Sequence, residues 1–265
     1  MIQYAGGMAD KSKFDTETTA RHYAAARPTY PSELFDALDD LLGHELAGAD
    51  VVDVAAGTGI SSRQLAARGA RVVAVELSAA MLSELAASSP GVHAVQGSGH
   101  ALPLADDSAD LITYAQAWHW MDPAQALPEI RRVLRPGGVL ALWWNQTDRS
   151  EGWEREQAER ITAAAGQQWN KYSATQLSER IELPSDLTKH SFTFDWERTV
   201  TLERHLSNLA SKSYIAELGE DTEPFLARER ELLSGHFPDG LVVEKFTTLL
   251  VASLVSEGLN LAART

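Results

Sequence analysis

Between Val51 and Gln146, short β-branched apolar runs alternate with segments whose apolar residues recur at helical spacing. The runs are Val51–Ala55, Arg71–Glu76, Val92–Gln96, Asp110–Ala115 and Val139–Trp144, and the helical segments are Ser61–Arg68, Ala79–Ala87 and Ala124–Leu134. The runs are predominantly apolar, which predicts strands buried on both faces of a parallel sheet. The alternation itself predicts crossover units of the doubly wound α/β type. "LRPGG", Leu134 to Gly138, reads as a helix stop and a tight turn into the fifth strand.

Beyond Asn145 the pattern changes. Residues 150–187 are polar and mostly helical in composition, with Trp153 and Trp169 embedded. "HSFTFDWE", His190 to Glu197, alternates like a strand, helical patterns follow at Leu202–Glu217 and Glu223–Ser234, and "LVVEKFTTLLVA" reads as a last long strand. Two late strands separated by helices can complete the same sheet. The expected organisation is one domain: an N-terminal cap at about 10–32, a sheet core at about 33–149, a helical cap insertion at about 150–187 and C-terminal strands and helices at about 188–265.

Composition narrows the function. A formal charge of −14 leaves no basic surplus to neutralise phosphates, which disfavours nucleic acid and anionic membrane surfaces as partners. The chain has no cysteine, so disulfides, thiolate metal sites and cysteine nucleophiles are excluded. No apolar run approaches the roughly 20 residues that span a bilayer. "MIQYAGGMADKSK" has neither a charged n-region nor an apolar h-region, so a soluble cytoplasmic protein is expected, with Met8 an alternative start.

The candidate chemistry begins at "VVDVAAGTGISS", Val51 to Ser62. An Asp near the strand end, small residues and then two glycines opening a helix make a turn where backbone can approach a ligand closely. Glu76 ends the next strand, seventeen positions after Gly59. A carboxylate there can accept hydrogen bonds from both hydroxyls of a ribose. A dinucleotide site would show G-x-G-x-x-G, but Ser62 stands where the third glycine is required.

The spacing Asp53-x-Ala55-x-Gly57-x-Gly59 resembles the first motif of class I S-adenosylmethionine (SAM) dependent methyltransferases, which usually carry glycine at the Ala55 position. "YAAARPTYP", "VVAVELS", "HALPLADDSADLITYAQAWHWMD" and "EIRRVLRPGGVLALWW" extend the resemblance over nearly the whole chain, toward the small-molecule branch containing trans-aconitate methyltransferase. It implies a Rossmann-like, seven-stranded, mostly parallel sheet with its last strand reversed, a helical cap, and SAM across the strand carboxyl ends. For the cofactor it implies Tyr23, Arg27, Asp53, Ala55, Gly57, Gly59, Glu76, Leu77, Ser98 and Gln116. Among these, Glu76 takes the ribose, Leu77 packs on adenine, Ser98 replaces the usual acid at the adenine amino edge, and Arg27 clamps the methionine carboxylate. Tyr30 belongs to the same N-terminal segment, expected beside the acceptor.

His119 in "AWHW" is the candidate general base, since histidine has the right pKa range. Trp118 and Trp120 flank it as candidate pocket walls, and Tyr172 and Tyr214 in the cap are further acceptor contacts. No histidine–carboxylate spacing recommends a metal. Transfer from a sulfonium needs orientation and exclusion of water more than a covalent nucleophile. The expected activity is direct, metal-independent methylation of a small organic acceptor: a small acid, or an apolar or aromatic specialised metabolite. A nicotinamide-dependent oxidoreductase and a non-catalytic SAM-binding protein are the rival readings. The oligomeric state is left open.

Overall fold

The computed structural model describes residues 24, 26–149, 152–166, 178–179, 181, 183–184 and 187–254. Tyr23, Trp169 and Tyr172 lie outside the described residues. In chain order the elements are α1 (Ser32–Leu42), β1 (Asp50–Val54), α2 (Ile60–Ala67), β2 (Arg71–Glu76), α3 (Ala79–Ser88), β3 (His93–Gln96) and β4 (Ala109–Ala115). They continue with α4 (Pro123–Val133), β5 (Leu134–Thr147), α5 (Gly152–Ala165), β6 (Thr188–Thr201), α6 (Leu202–Ala210), α7 (Ser213–Ala216), α8 (Thr222–His236) and β7 (Leu241–Leu254).

The strands form a seven-stranded sheet in the order β3-β2-β1-β4-β5-β7-β6. The first five are mutually parallel, and β7 runs antiparallel to both of its neighbours, β5 and β6. Strand order reverses between β1 and β4, and it is outside the carboxyl ends of strands at such a point that open α/β sheets bind ligands.

The burial explains why the central runs carry so little polarity. On one face Val52, Val54, Ile112, Leu140 and Leu142 pack with Ile130 and Val133 of α4. On the other Val51, Leu111, Val139, Ala141 and Trp143 pack with Leu34, Phe35 and Leu38 of α1. Alternate residues of the same strand therefore enter different cores, and a strand covered on both faces reads as unbroken apolar sequence. Edge strand β6 keeps the exposed–intermediate alternation seen in its sequence.

Two boundaries differ from the sequence expectation. The "LRPGG" stretch is not simply a turn before β5: Leu134 already pairs with Ala109, and the ladder resumes with Leu111 opposite Val139, so residues 135–138 bulge out of a continuing strand. Beyond Trp144, β5 runs on to Thr147, because β7 supplies a partner as far as Phe246. A strand's length is set by its neighbour as much as by its own residues.

Candidate active site

The turn after β1 holds its ligand-sized opening through backbone conformation. Ala55, Gly57 and Gly59 all have left-handed φ values, 54°, 57° and 79°. Gly59 caps α2, and a Cβ added there would lie 2.7 Å from Leu85 Cγ, so glycine is required for packing as well as for φ. A Cβ on Gly57 would meet nothing within 4 Å, because Gly57 faces open cleft.

Glu76, at the end of β2, ties this turn to the next. Its Oε2 accepts from the Gly57 N–H and its Oε1 from the Ser78 N–H, both at 2.8 Å. Each carboxylate oxygen keeps a further acceptor site, and the group is fixed in orientation before any ligand arrives. Asp53 has a different place from the one expected. It lies beneath the cleft wall, completely buried, accepting from Ser62 Oγ at 2.6 Å and Thr113 Oγ1 at 2.8 Å. Burial outweighs those hydroxyls and pushes its pKa up to about 6.

The cleft itself encloses about 660 Å³ and is walled by Arg27, Tyr30, Ala55, Gly57, Thr58 and Gln116, among others. Gln116, like Ala55, is a non-glycine residue at positive φ (58°), so the tips of both β4 and β1 are strained where they face the opening. Residues 26–30 form a strap across it. Arg198 of β6 donates to the Ala26 and Arg27 carbonyls, Asn145 donates to the Thr29 carbonyl, and Gln64 both accepts from the Tyr30 N–H and donates to its carbonyl. Tyr30 sits edge-on to Trp143 at 5.8 Å, on the cleft wall and away from the second cavity described next. Thr58 Oγ1 is buried on this wall without a partner among the described residues. A polar atom of that kind, an oriented carboxylate and a glycine opening fit a nucleoside with hydroxyls and a charged tail.

A second cavity of about 470 Å³ adjoins the cleft under the helices. Both are lined by Thr147, Lys212 and Phe246, so the two chambers lie side by side. Trp153 and Gln157 of α5, His205 and Asn208 of α6, and Tyr214 of α7 supply much of its wall. The covering layer is thus drawn from the β5–β6 and the β6–β7 connections together. Its far side is a buried polar network. His205 Nδ1 meets Glu244 Oε1 at 2.7 Å, Arg198 Nε donates to Glu244 Oε2 at 2.6 Å, and Gln157 Nε2 bridges His205 and Glu229. Burial raises the Glu244 pKa, but His205 and Arg198 outweigh it and leave the carboxyl below its usual range.

The remaining sequence candidates divide. Tyr214 reaches the second cavity. Leu77 is exposed beside Glu76, placed to cover a flat ligand, and Ser98 Oγ accepts from the His100 N–H. Trp118 is a correction: it is 2% exposed, edge-on to Tyr114 at 5.1 Å, and belongs to the core rather than a pocket wall. The three-residue 3₁₀ turn Trp118–Trp120 rotates successive side chains apart, sending Trp118 inward and leaving Trp120 exposed.

His119 also departs from its expected place, for it lines neither cavity. Its Nδ1 edge faces the Trp144 indole, which donates to it at 3.4 Å. Although the residue as a whole is exposed, that local desolvation lowers the imidazole pKa. The neutral ring then carries its proton on Nε2, so its one lone pair is engaged and its free edge is a donor. Arg149, Asn145 and Asn208 escaped the sequence reading, whereas Lys212 belongs to the stretch Ser211–Tyr214 that resembles an acceptor-pocket segment. Arg149 lies just past the carboxyl end of β5, where the strand-tip rule would have found it; the two asparagines have no local signature.

The geometry defines an α/β enzyme with a nucleoside-sized crevice at its strand tips. Residues 52–142 match the methyltransferase domain family. An uncharacterized methyltransferase of Mycobacterium tuberculosis (strain H37Rv) is 38% identical over 81% of this chain and 83% of its own length. An uncharacterized methyltransferase-like protein of Schizosaccharomyces pombe is 31% identical over 87% and 90%. A solved methyltransferase structure from Anaeromyxobacter dehalogenans superposes with a TM-score of 0.69, at 23% identity, over 87% of this chain and 98% of that one, a likeness of fold. The chain belongs to the methyltransferase family, and it is a SAM-dependent enzyme. These relatives lend no support to the nicotinamide alternative, and none of them carries the resemblance down to the trans-aconitate branch. Among the described residues no helix is long and apolar enough to cross a membrane.

Proposed function

We propose that this enzyme methylates a small organic acceptor, a small acid or an apolar or aromatic metabolite, held in the helix-covered cavity while SAM occupies the strand-tip cleft. The carrying observation is the shared wall of Thr147, Lys212 and Phe246, which brings two chambers of suitable size into contact. Glu76 is assigned to the ribose hydroxyls, Leu77 and Ser98 to the adenine, and Arg27 on the strap to the methionine carboxylate, whose planar geometry suits a guanidinium. Gly57 leaves room for the cofactor above its backbone, and Ala55 and Gln116 stand at the end nearer the second cavity. Bound SAM supplies an electrophilic methyl group.

The protein's own work is then to align the acceptor and keep water out, which suits a buried cavity roofed by α5 to α7. Its Trp153 and Phe246 suit a partly apolar acceptor. His119 is assigned to holding the Trp118–Trp120 turn against Trp144, not to proton abstraction. Two measurements test the reading. Titration calorimetry with S-adenosylhomocysteine (SAH) should give saturable binding. Incubation with methyl-labelled SAM and a fractionated small-molecule extract should label at least one acceptor. Binding without any transfer would favour the non-catalytic rival, and no SAH binding would remove the cofactor from the cleft.

A further inference from the structure

The chain carries a formal charge of −14, yet the junction of its two chambers is cationic. Lys212 lines both cavities, Arg27 lines the cofactor side and Arg149 the acceptor side. Lys212 also feels repulsion from Arg198. Among the described residues, the acceptor wall sets two carboxylates, Glu154 and Glu244, against these four basic groups. Glu244 is committed to Arg198 and His205 at 2.6 and 2.7 Å, and Arg27 donates to the Ser211 carbonyl at 3.0 Å.

The Lys212 side chain has no hydrogen-bond or ion-pair partner among the described residues. Burial first, and repulsion from Arg27 next, hold its pKa well below the usual lysine value, against an attraction from Glu244. Arg149, lowered to about 10 by burial, keeps its charge at neutral pH. An amine withdrawn from water among guanidinium groups is costly unless an anion joins it. An arriving anion would relieve that repulsion and favour the charged form of Lys212. A second observation points the same way: Asn208 Oδ1 is buried on the same wall with no partner among the described residues, an acceptor open to an O–H or N–H.

We propose that the methyl acceptor is an organic oxyanion, a carboxylate or a phosphate monoester, anchored by Lys212 and Arg149 and offering a hydrogen-bond donor to Asn208. This rests on the methyltransferase reading above and names its substrate class. In an acidic protein the cationic junction also keeps the anion from being expelled by the overall field.

Calorimetry on the SAH-loaded protein at pH 7 tests it, with glutarate, benzoate and phenyl phosphate as probes and glutaramide, benzamide and phenol as uncharged counterparts. At least one anion should bind with Kd below about 5 mM and about tenfold tighter than its counterpart. Lys212→Met should lose that preference by about tenfold. The carboxylate and phosphate arms separate the two anion sources. Equal binding of anions and counterparts, or no anion binding below about 5 mM, overturns the proposal whether or not the variant folds. A folded Lys212→Met with unchanged anion affinity does the same. Loss of SAH binding by the wild-type protein would instead sink the cofactor placement, which this experiment measures first.

Discussion

The two chambers are built by different means. The cofactor cleft is made from strand tips and turns: left-handed backbone at Ala55, Gly57 and Gly59, and one carboxylate gripped by two backbone amides. The acceptor cavity is made from side chains on α5 to α7 and β7, held by a buried network centred on Glu244. Backbone geometry binds what every member of a family shares, and converging side chains hold what one enzyme selects. Stability should follow the same division, with the side-chain network costly to break and the backbone-built cleft sensitive in smaller steps.

The largest effect is expected on the acceptor side. Glu244→Ala leaves Arg198 and His205 facing a buried gap, and such a loss costs about 3–5 kcal/mol. Urea denaturation should show it, while the folded fraction binds SAH with unchanged affinity. A loss of SAH binding along with the stability would show that the two chambers are not separable.

On the cofactor side the largest stored cost is the buried Asp53. Its folded pKa, about 6, exceeds the model-compound value of 3.8. Below the lower value both folded and unfolded states hold the proton, and the contribution to stability is complete. Between the two, the folded chain keeps a proton that the unfolded chain has released, so stability falls as pH rises, by roughly 3 kcal/mol in all. Above about 6 the loss is complete. Asp53→Asn should remove this slope, read as the difference between variant and wild-type stability from pH 4 to 7. Parallel profiles would mean that the carboxyl is better solvated than its position implies.

Glu76→Ala should weaken SAM and SAH by roughly 1.5–3 kcal/mol, the range for hydrogen bonds to a charged group, with little change in acceptor preference. Calorimetry checks the first part and competing acceptors the second. Unchanged SAH affinity in a folded variant would take the ribose away from this carboxylate.

The same contrast explains what could be read from the sequence. The sheet, the glycine turn and Glu76 are legible because each depends on residues close in the chain: apolar runs for buried strands, small residues for left-handed backbone, an acid at a strand end. The acceptor wall is not legible in this way. Lys212, Glu244, His205 and Arg149 come from three separate segments, and only the docking of α6 and α7 over β7 brings them together. The Trp118 error has another origin. The 3₁₀ turn that begins at Trp118 sends successive indoles to different sides, so residue type alone does not tell which of them reaches a pocket. For His119 the expectation came from residue type, and the structure adds that the Trp144 indole donates to its Nδ1.

The smallest expected effect sharpens the comparison most. Among the described residues, Ala55, Asp107 and Gln116 are the non-glycine residues at positive φ, and two of these line the cofactor cleft while none lines the acceptor cavity. Holding an alanine in left-handed backbone costs about 1–2 kcal/mol, which glycine at the same position avoids. Glycine gives back part of that gain, because its unfolded chain has more conformations to lose. It also gives up the contact that the Ala55 methyl makes with the apolar cluster behind β1. Ala55→Gly should therefore stabilise the protein by about 0.5–1 kcal/mol, seen as a higher urea midpoint with unchanged m. SAH affinity should stay the same or rise, since only a methyl leaves the cleft wall. A matched substitution in the acceptor wall, Ala158→Gly within α5, should move stability the other way by about 0.5–1 kcal/mol, because helical φ favours alanine. Opposite signs would establish that strain is concentrated in the backbone-built half; a destabilised Ala55→Gly would place the methyl's packing above its strain and remove that distinction.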